Sequence, residues 1–449
     1  MPNNSYTKSF LKSHLCIALL LTSILFFSNE ILAQVDSLSN LEQLGGDGYR
    51  EGQYPGLGHA ASEIFYSEKP FAFSGYAELA NVFNGGKPRD TSSEDLELYF
   101  GQLYRIVPFL GFRFSKNVFL TAELGFEYLE GNGESETHFF PEIYMDVIFK
   151  KWLSFRVGMQ PLNIGYINNN EEPLLFLSVN RPETERLIIP TEWIEAGLTF
   201  YGELSYNINY ALGFTNGVLA KDFKSANWIR SGAEGQFESF NKIAVHAQLN
   251  YLPANNITLS ISGYYNESGR DESVVIDGID SRVSAPVSVL SGYGRWDYKG
   301  FSLLGMGTYG SLSETKEIFQ LTNEQQGLGQ VIGKEVYGMY IEPSMDLLRL
   351  FGGHSEKESK SGNIFTISNP ELPIFLRYER LDTHASVNSE LADESFIRNN
   401  LKIWMVGFNY KPNHNIALKF DVRFRDNLNA LAGIPESETL YEVGIGIEF

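Results

Sequence analysis

Seven arginines recur in segments that alternate apolar and polar residues: Arg105, Arg113, Arg156, Arg295, Arg377, Arg423 and Arg425. Arg156 shares its parity with Ser154, Gly158 and Gln160, against Phe155, Val157 and Met159. Arg423 and Arg425 are two apart, and so are Arg377 and Glu379. In an extended strand, residues two apart stand on one face. One polar face therefore carries cations with carboxylates between them. Such a row can draw anions into a water-filled passage. Alternatively, each guanidinium pairs with a carboxylate such as Glu123, Glu127, Glu379 or Asp421, and little net field remains. The chain has 35 Lys and Arg against 55 Asp and Glu, a formal charge of -20, which favours pairing. A second concentration of charge lies in Asn168–Ile194, which holds Arg181, Glu183, Glu185, Arg186 and Glu192, with Glu195 just beyond. Pro173, Pro182 and Pro190 interrupt this stretch, so no continuous strand fits. Long loops in compact domains are usually functional. The expectation is a loop folded inward that narrows a passage; the alternative is an external loop with solvated charges.

Other chemistry finds little support. No two of the seven histidines stand four apart, and Cys16 is the only cysteine, so a His or Cys metal site is not expected. There is no G-x-S-x-G elbow and no G-x-G-x-x-G between a strand and a helix. Neither an enzyme nor a cofactor is expected, although a hydrolytic His beside a Ser or Asp on neighbouring strands stays open. The acidic balance argues against nucleic acid, because phosphate contacts need clustered Lys and Arg.

The elements that would position these charges are strands. From about Phe71, segments of roughly ten residues alternate with period two. In Phe119–Tyr128, Leu120, Ala122, Leu124, Phe126 and Tyr128 oppose Thr121, Glu123, Gly125 and Glu127. Similar faces run through Glu203–Gly213, Lys242–Tyr251 and Ile416–Arg425. About 9–11 residues is the length a tilted strand needs to cross a bilayer, against about 5–6 in soluble sheets. Aromatic residues at strand ends (Tyr128, Tyr251, Tyr265, Tyr410) match interfacial girdles. Pro253-Ala254-Asn255-Asn256 and Pro412-Asn413-His414-Asn415 look like periplasmic turns, whereas Asn266–Ser284, Ser311–Lys334 and Gly352–Asn369 fit extracellular loops. A sheet in hydrocarbon must close on itself. At roughly 22–25 residues per strand with its connection, residues 70–449 form an all-β transmembrane antiparallel β-barrel of about 16 strands, with 14–18 open. Tyr441, Val443, Ile445, Ile447 and Phe449 form the apolar face of a last strand. A final strand ending in Phe resembles the signal that the barrel assembly machinery reads in bacterial outer-membrane proteins.

Residues 1–33 have the form of a secretory signal peptide. Lys8 and Lys12 precede an apolar Leu15–Phe27, and Ile31-Leu32-Ala33 offers a cleavage site. The apolar run is too short to span a bilayer. Residues 34–69 are polar, glycine-rich and without sustained period, which points to a flexible N-terminal extension.

Several runs carry a more specific likeness: Ser74-Gly75-Tyr76-Ala77-Glu78-Leu79; Tyr104 to Phe114; Thr121 to Glu127; Pro141 to Asp146; Phe155 to Gly165; Val179-Asn180-Arg181-Pro182-Glu183-Thr184-Glu185; and Ile189 to Gly197. These runs resemble the phosphate-selective porin O/P family, in particular its members from Bacteroidetes-like bacteria. They lie within about a third of the chain. The resemblance implies a homotrimer of 16-stranded channels in the outer membrane of a Gram-negative bacterium, surrounded by outer-membrane lipid. It implies passive passage of small hydrophilic solutes or anions, with no cofactor. It does not by itself imply phosphate, because a strongly basic channel does not fit the acidic excess. Three other functions stay open: a substrate-specific anion channel with Arg156 and Arg181 in a basic patch, a plugged or partner-binding barrel, and a hydrophobic-compound transporter. The last would need an apolar path, whereas the inward faces look charged.

Overall fold

The structure is a computed structural model describing residues 57–83, 101–131, 134–233, 242–276, 278–352, 367–394, 396–430 and 435–449. The signal-peptide assignment and residues 34–56 of the expected extension lie outside the described residues.

Chain order begins with a short helix, α1 (His59–Phe65). Then come β1 (Phe71–Phe83), β2 (Gln102–Ser115), β3 (Val118–Gly131), β4 (Glu134–Lys150) and β5 (Leu153–Pro161). A long segment containing α2 (Glu183–Leu187) leads to β6 (Ile194–Ser205), β7 (Ile208–Thr215), β8 (Ala244–Ala254) and β9 (Ile257–Glu267). A small hairpin follows, β10 (Glu272–Ile276) and β11 (Ile279–Val283). After it come β12 (Pro286–Tyr298), β13 (Phe301–Leu312), α3 (Thr315–Gln326), β14 (Glu335–Asp346) and α4 (Leu347–Leu350). The chain ends with β15 (Pro373–Ser386), β16 (Asn400–Asn413), β17 (Ile416–Asn427) and β18 (Ser437–Glu448). All strands except the β10–β11 hairpin form one closed antiparallel barrel of 16 strands, in which β1 pairs with β18. Closure gives every edge a partner, as hydrocarbon requires. The terminal residue completes the seam. Phe449 N–H donates to the Gly75 carbonyl at 2.9 Å, and the Phe449 carbonyl accepts from Gly75 N–H at 2.8 Å.

Period two explains the two surfaces. Leu79, Ile106, Phe126, Leu249, Ile341 and Val443 face outward and are exposed, forming an apolar belt for lipid. Thr121, Glu123 and Glu127 face inward and are buried, as the alternation in Phe119–Tyr128 predicts. At one end, six connections are two-residue turns: Lys116-Asn117, Lys151-Trp152, Tyr206-Asn207, Asn255-Asn256, Lys299-Gly300 and His414-Asn415. Lys299 and Gly300 both have positive φ (51° and 85°), the conformation that closes a two-residue hairpin.

Two expectations need correction here. Glu203–Gly213 is not one strand but the end of β6, a turn and most of β7. A two-residue turn conserves parity, so the outward set Leu204, Ile208 and Leu212 runs through it without a break. Second, Gly352–Asn369 belongs to the β14–β15 connection, which lies at the short-turn end rather than with the long loops. Length and polarity did not reveal which end it occupied, because an antiparallel meander sets that by strand order alone. The stem of this connection is fixed. Asp346 Oδ1 accepts from Leu348 N–H at 3.1 Å and Leu372 N–H at 2.9 Å.

A third difference concerns residues 34–69. Their described part is not an extended tail. Ala60, Ala61, Ile64 and Phe65 are buried on the inner surface of β1 and β2. Ser74 Oγ donates to the Ala60 carbonyl at 2.7 Å, and Arg113 Nη2 donates to the Phe65 carbonyl at 2.6 Å. Two helical turns are too short to register as a period in the sequence.

The inward faces are not uniformly polar either. Val287, Leu304, Val336, Leu381 and Leu401 line the inner wall of β12–β16. They join Ile188 and Trp193 from the β5–β6 segment, Phe223 and Trp228 from the β7–β8 connection, and Ile318 and Leu321 of α3 in one apolar core. The expectation of charged inward faces therefore holds for only part of the barrel. Elsewhere, inward-folded connections bury apolar wall residues as a core would.

Candidate functional site: the inward segment and its charged walls

The segment from Leu162 to Trp193, between β5 and β6, lies inside the barrel. Leu162, Ile164, Ile188 and Ile189 are fully buried or nearly so, and so are Glu183, Thr184 and Glu185. Irregular backbone inside a barrel has no ladder to satisfy its polar groups, so other groups must do it. Asn168 closes the neck. Its Nδ2 donates to the Ile164 and Pro190 carbonyls (3.1 and 2.8 Å), and its Oδ1 accepts from Glu192 N–H at 3.0 Å. Glu185 Oε2 accepts from the N–H groups of Tyr166 and Ile167, both at 2.8 Å, while Glu185 Oε1 accepts from Tyr340 Oη at 2.7 Å. Gly165 lies against this carboxylate with φ 82°, where a Cβ would come within 2.5 Å of it. Burial pushes the Glu185 carboxyl up to about 7, against the opposing pull of these three donors.

The barrel wall supplies the remaining partners. Asp421 accepts from Val179 N–H at 2.7 Å, and Glu379 accepts from Thr184 N–H at 3.1 Å. Glu442 accepts from Asn180 Nδ2 at 2.9 Å. Lys419 Nζ donates to the Phe176 and Ser178 carbonyls at 3.0 and 2.9 Å and lies 3.8 Å from the Phe176 ring centroid.

Around the segment, the arginines sit in paired clusters. On the β14–β18 wall, Arg377 meets Glu342 at 2.6 Å, Glu379 at 3.5 Å and Ser178 Oγ at 2.7 Å. Arg423 meets Glu442 at 2.8 Å and Glu183 at 3.2 Å, while Arg425 meets Glu183 at 2.9 Å and Glu438 at 3.3 Å. Glu183 of α2 therefore lies between two buried guanidinium groups. On the β1–β3 wall, Arg105 holds Glu127, Glu78 (3.4 Å) and Glu192 (2.6 Å), and Glu192 also meets Arg181 at 2.7 Å. Arg156 forms its own unit. It meets Asp146 at 3.0 Å, lies 4.1 Å from the Tyr144 ring centroid, and shares Asp146 with Tyr201 Oη at 2.8 Å. A buried guanidinium without a partner would be costly, which accounts for this matching.

The structure thus brings Arg181, Glu183, Glu185, Glu192, Arg377, Glu379, Arg423 and Arg425 into one connected region. Arg156 stands apart on β5. Glu195 is on β6, where its Oε1 accepts from Trp193 Nε1 at 3.3 Å. Arg186 is buried in α2, and its carbonyl accepts from Arg230 Nη1 at 3.3 Å. Sequence reasoning did not single out Glu78, Glu342, Glu438, Glu442 or Lys419. Parity was the available signal: Glu438 and Glu442 share the inner face of β18, and Lys419 and Asp421 that of β17.

Two further groups bear on ligand binding. His59, Glu172 and Glu448 bring ligand atoms within 4.8 Å of one another. Their atoms are already engaged: Glu172 accepts from the N–H groups of His59 (2.7 Å) and Ala60 (2.9 Å), and His59 Nδ1 is 3.3 Å from Glu448. A cavity of about 570 Å³ opens beside the segment toward the short-turn end, lined among others by Tyr166, Arg295, Glu342, Asp346 and Lys411.

The chain is similar to Salmonella typhi OmpF, solved with daunomycin, with a TM-score of 0.50 and 10% identity over 84% of this chain and 97% of that one. It is also similar to the outer-membrane channel DcaP of Acinetobacter baumannii, with a TM-score of 0.50 and 9% identity over 84% and 97%. This chain is a barrel of the Gram-negative outer membrane. At such low identity the likeness is one of fold. An uncharacterised protein of Aquifex aeolicus (strain VF5) is 28% identical over 380 residues, covering 82% of this chain and 78% of that protein. No protein-family model matches the chain.

Proposed function

We propose that this barrel is a porin-type channel for small hydrophilic solutes or ions, narrowed by the inward segment. One observation carries the reading: Leu162–Trp193 is bound to the inner wall by side chains of both signs, beside a cavity lined by charged groups. Charge in the narrow zone sets ion preference, and segment bulk sets size. Arg156, Arg181, Arg377, Arg423 and Arg425 each face a carboxylate, so little unbalanced positive field is available to select phosphate. We therefore place the chain near the phosphate-selective porin O/P family in kind, as a homotrimer, but with weak ion preference. Assembly relies on the face Tyr441, Val443, Ile445, Ile447 and Phe449.

The apolar core favours a second reading, a plugged or partner-binding barrel. Single-channel recording in a planar bilayer, with a salt gradient and phosphate as competitor, separates the two. A steady ohmic current with little phosphate block supports the weakly selective channel. Saturable anion current blocked by phosphate would instead support anion specificity. Folded barrel that carries no current would overturn the channel reading.

A further inference from the structure

Among the described residues, one group of three carboxylates gathers with no direct ion pair to a cation. Glu123 on β3 and Glu142 on β4 are direct cross-strand neighbours with buried, inward side chains. Like charges directly opposite on a ladder are unfavourable. Glu171 of the inward segment adds a third carboxylate, and the three bring oxygens within 4.8 Å of one another. The nearby guanidinium groups are already engaged, Arg156 with Asp146, and Arg105 and Arg181 with Glu192.

The surroundings point to a missing ligand. Glu142 Oε2 is fully buried and accepts no hydrogen bond. Tyr76 Oη is buried and unpartnered, and the carboxylates of Glu171 and Glu123 are the foremost charges acting on it. Gln160 is 1% exposed, and its unpartnered Nε2 is a donor that calls for an acceptor such as a carboxylate oxygen rather than for a cation. The Ile143–Met159 pairing places it beside Glu142 across the β4–β5 ladder. Polar atoms buried in this way normally have partners, and each exception asks for a cause.

We propose that Glu123, Glu142 and Glu171 bind a divalent cation of the calcium type. The donor set is all oxygen and anionic, which suits a hard cation and neither zinc nor copper. An ion about 2.3–2.6 Å from each oxygen bridges oxygens up to about 5 Å apart, whereas the shorter bonds of magnesium reach only about 4 Å. The cation pins the inward segment to the β3–β4 wall through Glu171. The adjacent Glu172 holds the start of α1, so the same ion steadies that helix. This inference does not depend on the channel reading, since a plugged barrel would use the clip equally well.

The test is calcium titration of the refolded, EDTA-treated barrel in detergent, by calorimetry and by the heat-modifiability midpoint on gels. One calcium per chain is expected, with a Kd in the range of about 10⁻⁴–10⁻³ M or tighter, and a raised midpoint that EDTA reverses. Glu142→Gln should weaken binding at least tenfold. Glu171→Gln should do the same, and it leaves the barrel wall intact if the β4 variant fails to fold. Glu448→Gln, in the other acidic group, should leave calcium binding unchanged. No calcium binding, a stronger response to magnesium than to calcium, or a midpoint raised by Glu142→Gln with no calcium response would overturn the proposal. The last result would mean that the carboxylates share protons rather than an ion.

Discussion

Replacing Glu183 with Gln is the sharpest probe of the charged zone. Its carboxylate lies 3.2 Å from Arg423 and 2.9 Å from Arg425. Removing one partner of a buried pair costs about 3–5 kcal/mol when a charge is left alone. Here each arginine keeps a second carboxylate, Glu442 at 2.8 Å and Glu438 at 3.3 Å, and the Gln oxygen still accepts one hydrogen bond. The expected loss is therefore nearer 2 kcal/mol, the scale of one hydrogen bond to a charged group. It should read as a lower heat-modifiability midpoint. The electrical effect is separate. A unit charge about 5 Å from a passing ion contributes about 0.8 kcal/mol at the dielectric constant of water, and more where water is excluded. Removing the negative charge acts on anions and cations with opposite sign, so the permeability ratio should shift toward anions by on the order of tenfold. Reversal potential in a KCl gradient measures it. A conducting Glu183→Gln barrel with unchanged reversal potential would show that Glu183 lies off the ion path.

Three further outcomes are expected. Glu185 titrates at about 7 in the fold, above the ordinary carboxyl value near 4.3. Protonation therefore stabilises the neck in full below about pH 4, and that contribution, roughly 4 kcal/mol at most, is lost as pH rises through 7. Hydrogen exchange at Tyr166 and Ile167, corrected for intrinsic rates, should accelerate across this window, and Glu185→Gln should abolish the dependence. Gly158 has φ 136°, and a Cβ there would lie 2.2 Å from the Ile143 carbonyl oxygen. Gly158→Ala should thus strain the β4–β5 pairing by several kcal/mol and sharply reduce the yield of folded barrel in refolding assays. Glu172→Ala removes the acceptor for the first N–H groups of α1, worth about 1 kcal/mol for a capping interaction, so exchange in residues 59–65 should quicken about fivefold.

The barrel was legible because its signal is local. Alternation in Phe119–Tyr128 and Ile416–Arg425 names both faces, and the lipid face tolerates no charge at its centre. Where the structure departs from that reading, the deciding information is not local. Parity passes unbroken through Tyr206-Asn207, so the turn left no mark in the alternation. The end occupied by Gly352–Asn369 depends on counting every strand before it. The arginine partners were partly visible as Arg377 and Glu379 at i,i+2. Glu183 and Arg425 are joined only by the fold. Asp421 was expected as an arginine's partner, and Lys419 shares its face, yet both are bound to backbone groups of the inward segment. A sequence shows that a charge points inward, but not whether a peptide group already occupies it.

The contact between Glu172 and α1 bears on the order in which the protein matures. A helix of seven residues cannot persist alone in water. The carboxylate that receives its first N–H groups lies 113 residues further along the chain from His59. That carboxylate reaches its place only when the β5–β6 segment has turned inward. The capping of α1 therefore waits on a segment made much later, and it reports that this segment is in place.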